Sequence, residues 1–189
     1  GAISPAPSLN KKILNEVISK IIKPTIDGMY KEHTPYEGVL YAGVMITKSG
    51  AKLIEFNCRL GDPEAQVILP RFKFDFLSLI LSLMNNETID KNLNILSSEK
   101  ALTVVLASKG YPGNFKKGFV LPNLNKFKNS KKIMIFQSGT KLFNNKIVSD
   151  GGRVLSVTAL GIDLKECRKR VYKVLNSINW THGFFRKDI

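Results

Sequence analysis

Side chains that build most metal and disulfide sites are scarce in this 189-residue chain: two cysteines, Cys58 and Cys167, and two histidines, His33 and His182. Two cysteines with no CxxC spacing exclude a disulfide framework and a cysteine-based zinc centre, and they fit a reducing, cytoplasmic compartment. Both histidines stand singly in polar stretches and read as surface residues. Long apolar runs are also missing. The richest, residues 72–84, is broken by Lys73, Asp75, Ser78 and Ser82, whereas a bilayer helix needs roughly 18 uninterrupted apolar residues. No membrane partner is expected. The first residues lack the basic-then-apolar pattern of a secretory signal. They also lack an initiator methionine, so a processed chain or a piece of a longer one is expected. The nearest approach to a phosphate loop runs from Gly113 to Gly118, but Phe119 stands where lysine is required. GxSxG, HExxH and GxGxxG patterns do not occur, so hydrolase-elbow, zincin and dinucleotide-fold chemistry have no support.

Acidic residues are scarce in one half only. Residues 1–90 hold ten Lys/Arg and ten Asp/Glu, while residues 91–189 hold nineteen and five, so the second half carries the whole formal charge of +14. Such asymmetry can mark nucleic-acid binding. Here most of the basic residues are lysines scattered among asparagines, which reads as solvated surface, since a phosphate-reading surface favours the arginine fork. Nucleic acid is not expected as a partner; a basic RNA-associated module over 91–189 is kept as the alternative.

Hydrophobic material is ample at 43%, and its periodicity outlines the elements. Ile13, Leu14, Val17, Ile18, Ile21 and Ile22 recur at helical spacing, predicting a helix over 9–23 that Pro24 ends or kinks, with a further turn possible over 25–30. Residues 39–46 and 51–57 read as a hairpin around Lys48-Ser49-Gly50, and their apolar content predicts that both strands are largely buried. A loop over 59–63 leads to helical material over 64–84, interrupted at Pro70. The weakly patterned stretch 85–98 marks the best boundary, dividing the chain into 1–90 and 91–189. Beyond it, strands are predicted over 101–107, 133–137 and 154–158. A further hairpin, 140–143 with 146–149, turns on Asn144-Asn145. Asp163 caps a closing helix that runs to Ile178.

One segment carries candidate chemistry: Ile54-Glu55-Phe56-Asn57-Cys58-Arg59-Leu60-Gly61-Asp62-Pro63-Glu64. Alternation along a strand places Glu55 and Asn57 on one face, about 7 Å apart. A carboxylate and an amide oxygen so placed suit a hard divalent cation shared with phosphate oxygens. Arg59 could grip an anion through its fork, and Asp62 and Glu64 add carboxylates on a loop shaped by Gly61 and Pro63. The same residues also fit a strand end whose charges meet solvent, with Arg59 paired to Asp62 or Glu64. Asp150-Gly151-Gly152-Arg153 could bind phosphate through backbone N–H groups, but reads better as a tight turn.

That segment, with Pro35-Tyr36-Glu37-Gly38-Val39-Leu40-Tyr41-Ala42-Gly43 before it and Gly110-Tyr111-Pro112-Gly113, Gly151-Gly152-Arg153-Val154-Leu155 and Phe184-Phe185-Arg186-Lys187-Asp188-Ile189 after it, resembles the glycinamide ribonucleotide synthetases of the ATP-grasp superfamily. The resemblance covers essentially the whole chain. It implies an α+β fold: the C-terminal half of an ATP-grasp domain, antiparallel strands packed by helices, over 1–90, then a small β-rich domain with a closing helix over 91–189. It implies ATP-dependent ligation of glycine to 5-phosphoribosylamine through glycyl phosphate. Glu55 and Asn57 would be ligands of Mg2+ or Mn2+ on the ATP phosphates. Arg59 would hold the acyl phosphate, Gly61, Asp62, Pro63 and Glu64 would shape the substrate loop, and Met45 would lie under the adenine. Gly43 stands where related ligases carry a further acidic ligand. The family's N-terminal portion, with most of its nucleotide clamp, is not represented, so this chain alone is expected to be inactive. Another ATP-grasp ligase or carboxylase is the nearer alternative.

Overall fold

A computed structural model describes residues 1–85, 87, 95–127 and 129–189. It divides into two compact units, each assembled from separated stretches of chain: one from residues 1–4, 63–71 and 96–189, the other from 5–62 and 72–95. The linker expected over 85–98 falls largely outside the described residues.

The first unit is built on an antiparallel sheet of β1 (Ala2–Ser4), β4 (Lys100–Ser108), β8 (Arg153–Gly161) and β5 (Ile133–Gln137) in that order, with β9 (Gly183–Phe184) also pairing β4. The central strands β4 and β8 are apolar on both faces and buried nearly throughout, as strands covered on both sides must be. Leu102, Val104 and Leu106, alternating along β4, join Val171, Val174, Leu175 and Ile178 of helix α5 (Leu164–Ile178) in one core. Ala101 and Leu160 pack with Val67 of the short helix α3 (Ala65–Ile68) in a second. Two buried polar groups in the sheet satisfy each other, Thr158 donating to the Thr103 hydroxyl at 2.8 Å.

Helix α5 starts where Asp163 indicates. Its carboxylate accepts from the Glu166 N–H at 2.7 Å, one of the donors that the helix start leaves open, and the Glu166 carboxylate accepts from the N–H of Ile162, just before the cap, at 2.9 Å. The hairpin of β6 (Thr140–Phe143) and β7 (Lys146–Ser149) turns through Asn144 and Asn145, both at positive φ, as a two-residue turn matching strand twist requires.

Short edge strands β1 and β9 went unanticipated; three and two residues hold no readable alternation. One arginine holds the unit's separated segments together. Arg71, 7% exposed, donates to the Ser97 carbonyl at 2.9 Å, the Glu99 carbonyl at 2.8 Å and the Ser4 hydroxyl at 2.6 Å. Burial lowers its pKa, yet an arginine keeps its charge there.

The second unit holds helix α1 (Lys11–Val17), a widened π turn over Ile18–Ile22, helix α2 (Lys23–Lys31), the hairpin of β2 (Tyr41–Thr47) and β3 (Gly50–Asn57), and helix α4 (Phe76–Met84). Pro24 does not end the first helix. The chain widens before it, the Lys23 N–H reaching back to the Ile18 carbonyl, and helix resumes with the proline in its first turn, where no N–H is needed. Pro70 likewise sits in a 3₁₀ turn, Leu69–Arg71, that divides α3 from α4. The expectation that both hairpin strands are largely buried is corrected. No residue of β2 or β3 is buried, and Met45 and Ile54 are 55% and 64% exposed. Apolar content predicts burial only where a partner covers the strand, and two strands and a few helices supply too little surface to do so.

Candidate functional site

The hairpin brings two of the expected residues together. Gly43 pairs with Glu55 and Tyr41 with Asn57 across β2 and β3. Glu55 and Asn57 therefore share a face, and the Asn57 amide donates to Glu55 Oε1 at 3.0 Å. Glu55 is exposed and Asn57 half-buried. A half-turn of that amide presents its oxygen at the same point, giving the oxygen-only donor set that a hard cation takes. The chain supplies two such donors here; among the described residues, no group of three or more His, Cys, Asp or Glu could hold a metal.

Space for Glu55 comes from the residue opposite. A Cβ on Gly43 would lie 3.2 Å from Glu55 Cγ, so a side chain there would press on the carboxylate's stem. The glycine noted as a departure from related ligases thus leaves the Glu55 stem its present position.

Between Gly43 and Val44 the register shifts, so that Val44 faces Leu53 and Met45 faces Lys52, leaving Ile54 as an extra residue in β3. This bulge re-aims the strand. Strict alternation from Glu55 would put Leu53 on its face. The bulge instead puts Lys52 there, opposite Met45 and on the face of Gly43 and Glu55. Lys52 was not picked out by alternation. The available signal was the odd spacing that a bulge creates, visible only once the partner strand is known.

Arg59, exposed just beyond β3, donates from Nη1 to the Leu60 carbonyl at 3.0 Å. Cys58 is exposed and lies beside Tyr36, whose hydroxyl donates to the Val39 carbonyl at 2.7 Å. Burial, and then the Cys58 contact, raise the Tyr36 pKa. Gly61 is buried, and the chain passes from one compact unit to the other between Asp62 and Pro63. Glu64 caps α3, its carbonyl accepting from the Val67 and Ile68 N–H groups at 3.1 Å. Asp62 and Glu64 are both engaged in interactions.

Asp150-Gly151-Gly152-Arg153 forms a turn. The N–H groups of Asp150 and Gly151 are both spent on the Gly139 carbonyl, at 2.7 and 3.1 Å. Gly152 lies so close to Tyr111 that a Cβ would fall 2.1 Å from its ring.

Two models of one family match this chain: the ATP-grasp (A) domain of phosphoribosylglycinamide synthetase over residues 1–65 and its C domain over 101–189. The chain belongs to the phosphoribosylglycinamide synthetase family. Across its whole length it is 44% identical to the phosphoribosylamine–glycine ligase of Caldanaerobacter subterraneus subsp. tengcongensis, and spans 44% of that protein. It is 42% identical to the human trifunctional purine biosynthetic protein adenosine-3, of which it spans 19%. The crystal structure of phosphoribosylamine–glycine ligase from Thermotoga maritima superposes with a TM-score of 0.82 at 28% identity, over 97% of this chain and 45% of that one. Biotin carboxylase of Campylobacter jejuni matches at a TM-score of 0.65 and 11% identity, over 97% of this chain and 38% of that one. That likeness is one of fold alone. The chain is therefore of the α+β, ATP-grasp class, and it spans less than half the length of the ligase relatives it matches. None of its described helices is long and apolar enough to cross a membrane.

Proposed function

We propose that this chain forms part of an ATP-dependent ligase joining glycine to 5-phosphoribosylamine, with glycinamide ribonucleotide, ADP and phosphate as products. The observation that carries the reading is the Glu55–Asn57 pair, held 3.0 Å apart on one face at the end of β3 in a chain of the synthetase family. Glycine's carboxylate takes the γ-phosphoryl group of ATP, and the amine of phosphoribosylamine then attacks the glycyl phosphate and expels phosphate. Little covalent work falls to the protein in such a transfer; positioning and charge compensation dominate. Glu55 and Asn57 would hold Mg2+ or Mn2+, and that ion, when bound, offsets the charge developing on the transferring phosphoryl group. Arg59 binds the carboxylate and its acyl phosphate through its forked donors. Gly61, Asp62, Pro63 and Glu64 shape the loop against the substrate, and Met45 supplies an apolar surface for the adenine.

In this reading residues 1–90 belong to the ATP-grasp core and 91–189 to the closing domain, and the rest of the nucleotide clamp lies in the portion of the ligases that this chain does not span. The chain alone is then inactive. Two unpaired thiols support the reducing cytoplasm as its location.

Glycine-dependent ADP release with freshly generated phosphoribosylamine tests the reading. It compares this chain, the full-length enzyme containing it, and that enzyme with Glu55→Ala. Activity is expected only in the full-length wild type, with Glu55→Ala losing more than the ~10–100-fold that removal of a metal's outer-shell partner costs. A well-folded full-length enzyme that releases no ADP in response to glycine overturns the assignment.

A further inference from the structure

A cleft of about 420 Å3 opens at the far end of β4, lined by Lys109, Asn114, Phe115, Lys116, Phe119 and His182. None of the residues proposed for ligation lines it. Its walls are built rigidly. Gly110, at a φ of +98°, comes so close to the Asn114 carbonyl that a Cβ would fall 2.1 Å away, so the loop folds back on itself and puts Lys109 on the same rim as Asn114, Phe115 and Lys116. The Lys109 N–H donates to the His182 carbonyl at 3.0 Å. The His182 ring lies flat on Phe119, centroids 3.8 Å apart and planes within 5°, and Trp180 stands edge-on to it at 6.0 Å. Trp180 is anchored in turn, its indole N–H donating to the Val120 carbonyl at 3.0 Å.

Charge in the cleft is of one sign. Asp150 pairs with Lys117 and Lys141, at 3.8 and 3.2 Å. Lys109 and Lys116 have no carboxylate partner among the described residues, and no Asp or Glu lines the cleft. Two uncompensated ammonium groups beside the exposed His182 ring and the half-buried Phe119 under it suit an anion carried on a planar ring system, with the Asn114 amide free to bond to the ring's polar edge. The volume falls within the range of small-ligand sites.

We propose that this cleft binds a nucleoside monophosphate, its phosphate on Lys109 and Lys116 and its base against the Phe115, Phe119 and His182 rings. Base–aromatic stacking and phosphate–ammonium contacts are separable terms, so each half of the ligand can be tested alone. Trp180 is the only tryptophan of the chain, which makes its fluorescence a reporter of events beside His182.

Titrating the chain with AMP is expected to change Trp180 emission saturably. Lys109→Ala/Lys116→Ala should weaken the apparent affinity about tenfold or more, with far-ultraviolet circular dichroism unchanged; tenfold corresponds to about 1.4 kcal/mol. Lys116→Glu, which adds repulsion, should weaken it as well. Both AMP fragments, adenosine and inorganic phosphate, should bind more weakly than AMP. An absent or non-saturating response to AMP overturns the proposal, as does equal affinity in the double variant. Phosphate binding as tightly as AMP overturns the ring contact, and adenosine doing so overturns the anion contact. The readout needs no ligase turnover, so its failure is distinguishable from failure of the ligase reading.

Discussion

Glu55 owes its position to a side chain that is missing across the hairpin. Gly43 leaves 3.2 Å between a would-be Cβ and Glu55 Cγ, so Gly43→Ala should keep the fold, because Glu55 is exposed and can move, but should shift the carboxylate. In the full-length enzyme the expected result is a rise of roughly tenfold in the metal concentration giving half-maximal activity, the scale on which perturbed metal-site partners act. An unchanged metal dependence would remove Glu55 from the ligand set. At the other end of the chain, Arg186 donates from Nε to Asp188 at 3.0 Å and holds its carboxyl down at about 2. A depressed folded-state pKa means that the interaction is fully present above the unfolded value near 3.9 and is lost as pH falls towards 2. The Asp188 carboxyl resonance should therefore titrate near pH 2; a midpoint close to 4 would show that the pair does not persist in solution. The identity of these residues was legible in the sequence. Lys52 was not, because its face depends on a one-residue bulge in a strand pairing.

Among elements, α5 shows how much a local signal can carry. Asp163 caps it, Glu166 answers three residues later, and Val171, Val174, Leu175 and Ile178 recur at helical spacing and are all buried. Asp163→Ala removes the acceptor for the Glu166 N–H and should cost ~1 kcal/mol, read as a lower midpoint in urea with an unchanged slope. A loss below a few tenths would mean that packing alone sets the helix start. The first helix teaches the opposite lesson. Pro24 has no N–H to give, and the sequence reads as an end or a kink with a further turn possible; the chain inserts a π turn over Ile18–Ile22 and continues to Lys31. A proline's cost depends on whether the turn before it can widen, and nothing in the residue string encodes that.

The whole molecule divides its stability unevenly. In the first unit β4 and β8 are buried almost end to end, and Arg71 fastens three separated segments through its hydrogen bonds. In the second unit, no described residue other than Gly61 is buried, and Leu77 on α4 remains 62% exposed. Local opening is easiest where few apolar contacts resist it. Hydrogen exchange on this chain should therefore leave the amides of Lys100–Ser108 and Arg153–Gly161 protected longest, with those of Tyr41–Thr47 and Gly50–Asn57 exchanging at least about tenfold faster. Equal protection in both regions would show that the hairpin is stabilised by something other than burial.

The order and type of the long elements, both hairpin turns and the Glu55–Glu64 string were determined by the sequence itself, because propensity, capping and turn chemistry act over a few residues. Discontinuity of the two units, the Arg71 fastening, the bulge that turns Lys52 towards Glu55, and the exposure of the apolar hairpin were decided only by tertiary structure. Each depends on which distant segment lies alongside, and no local pattern carries that information.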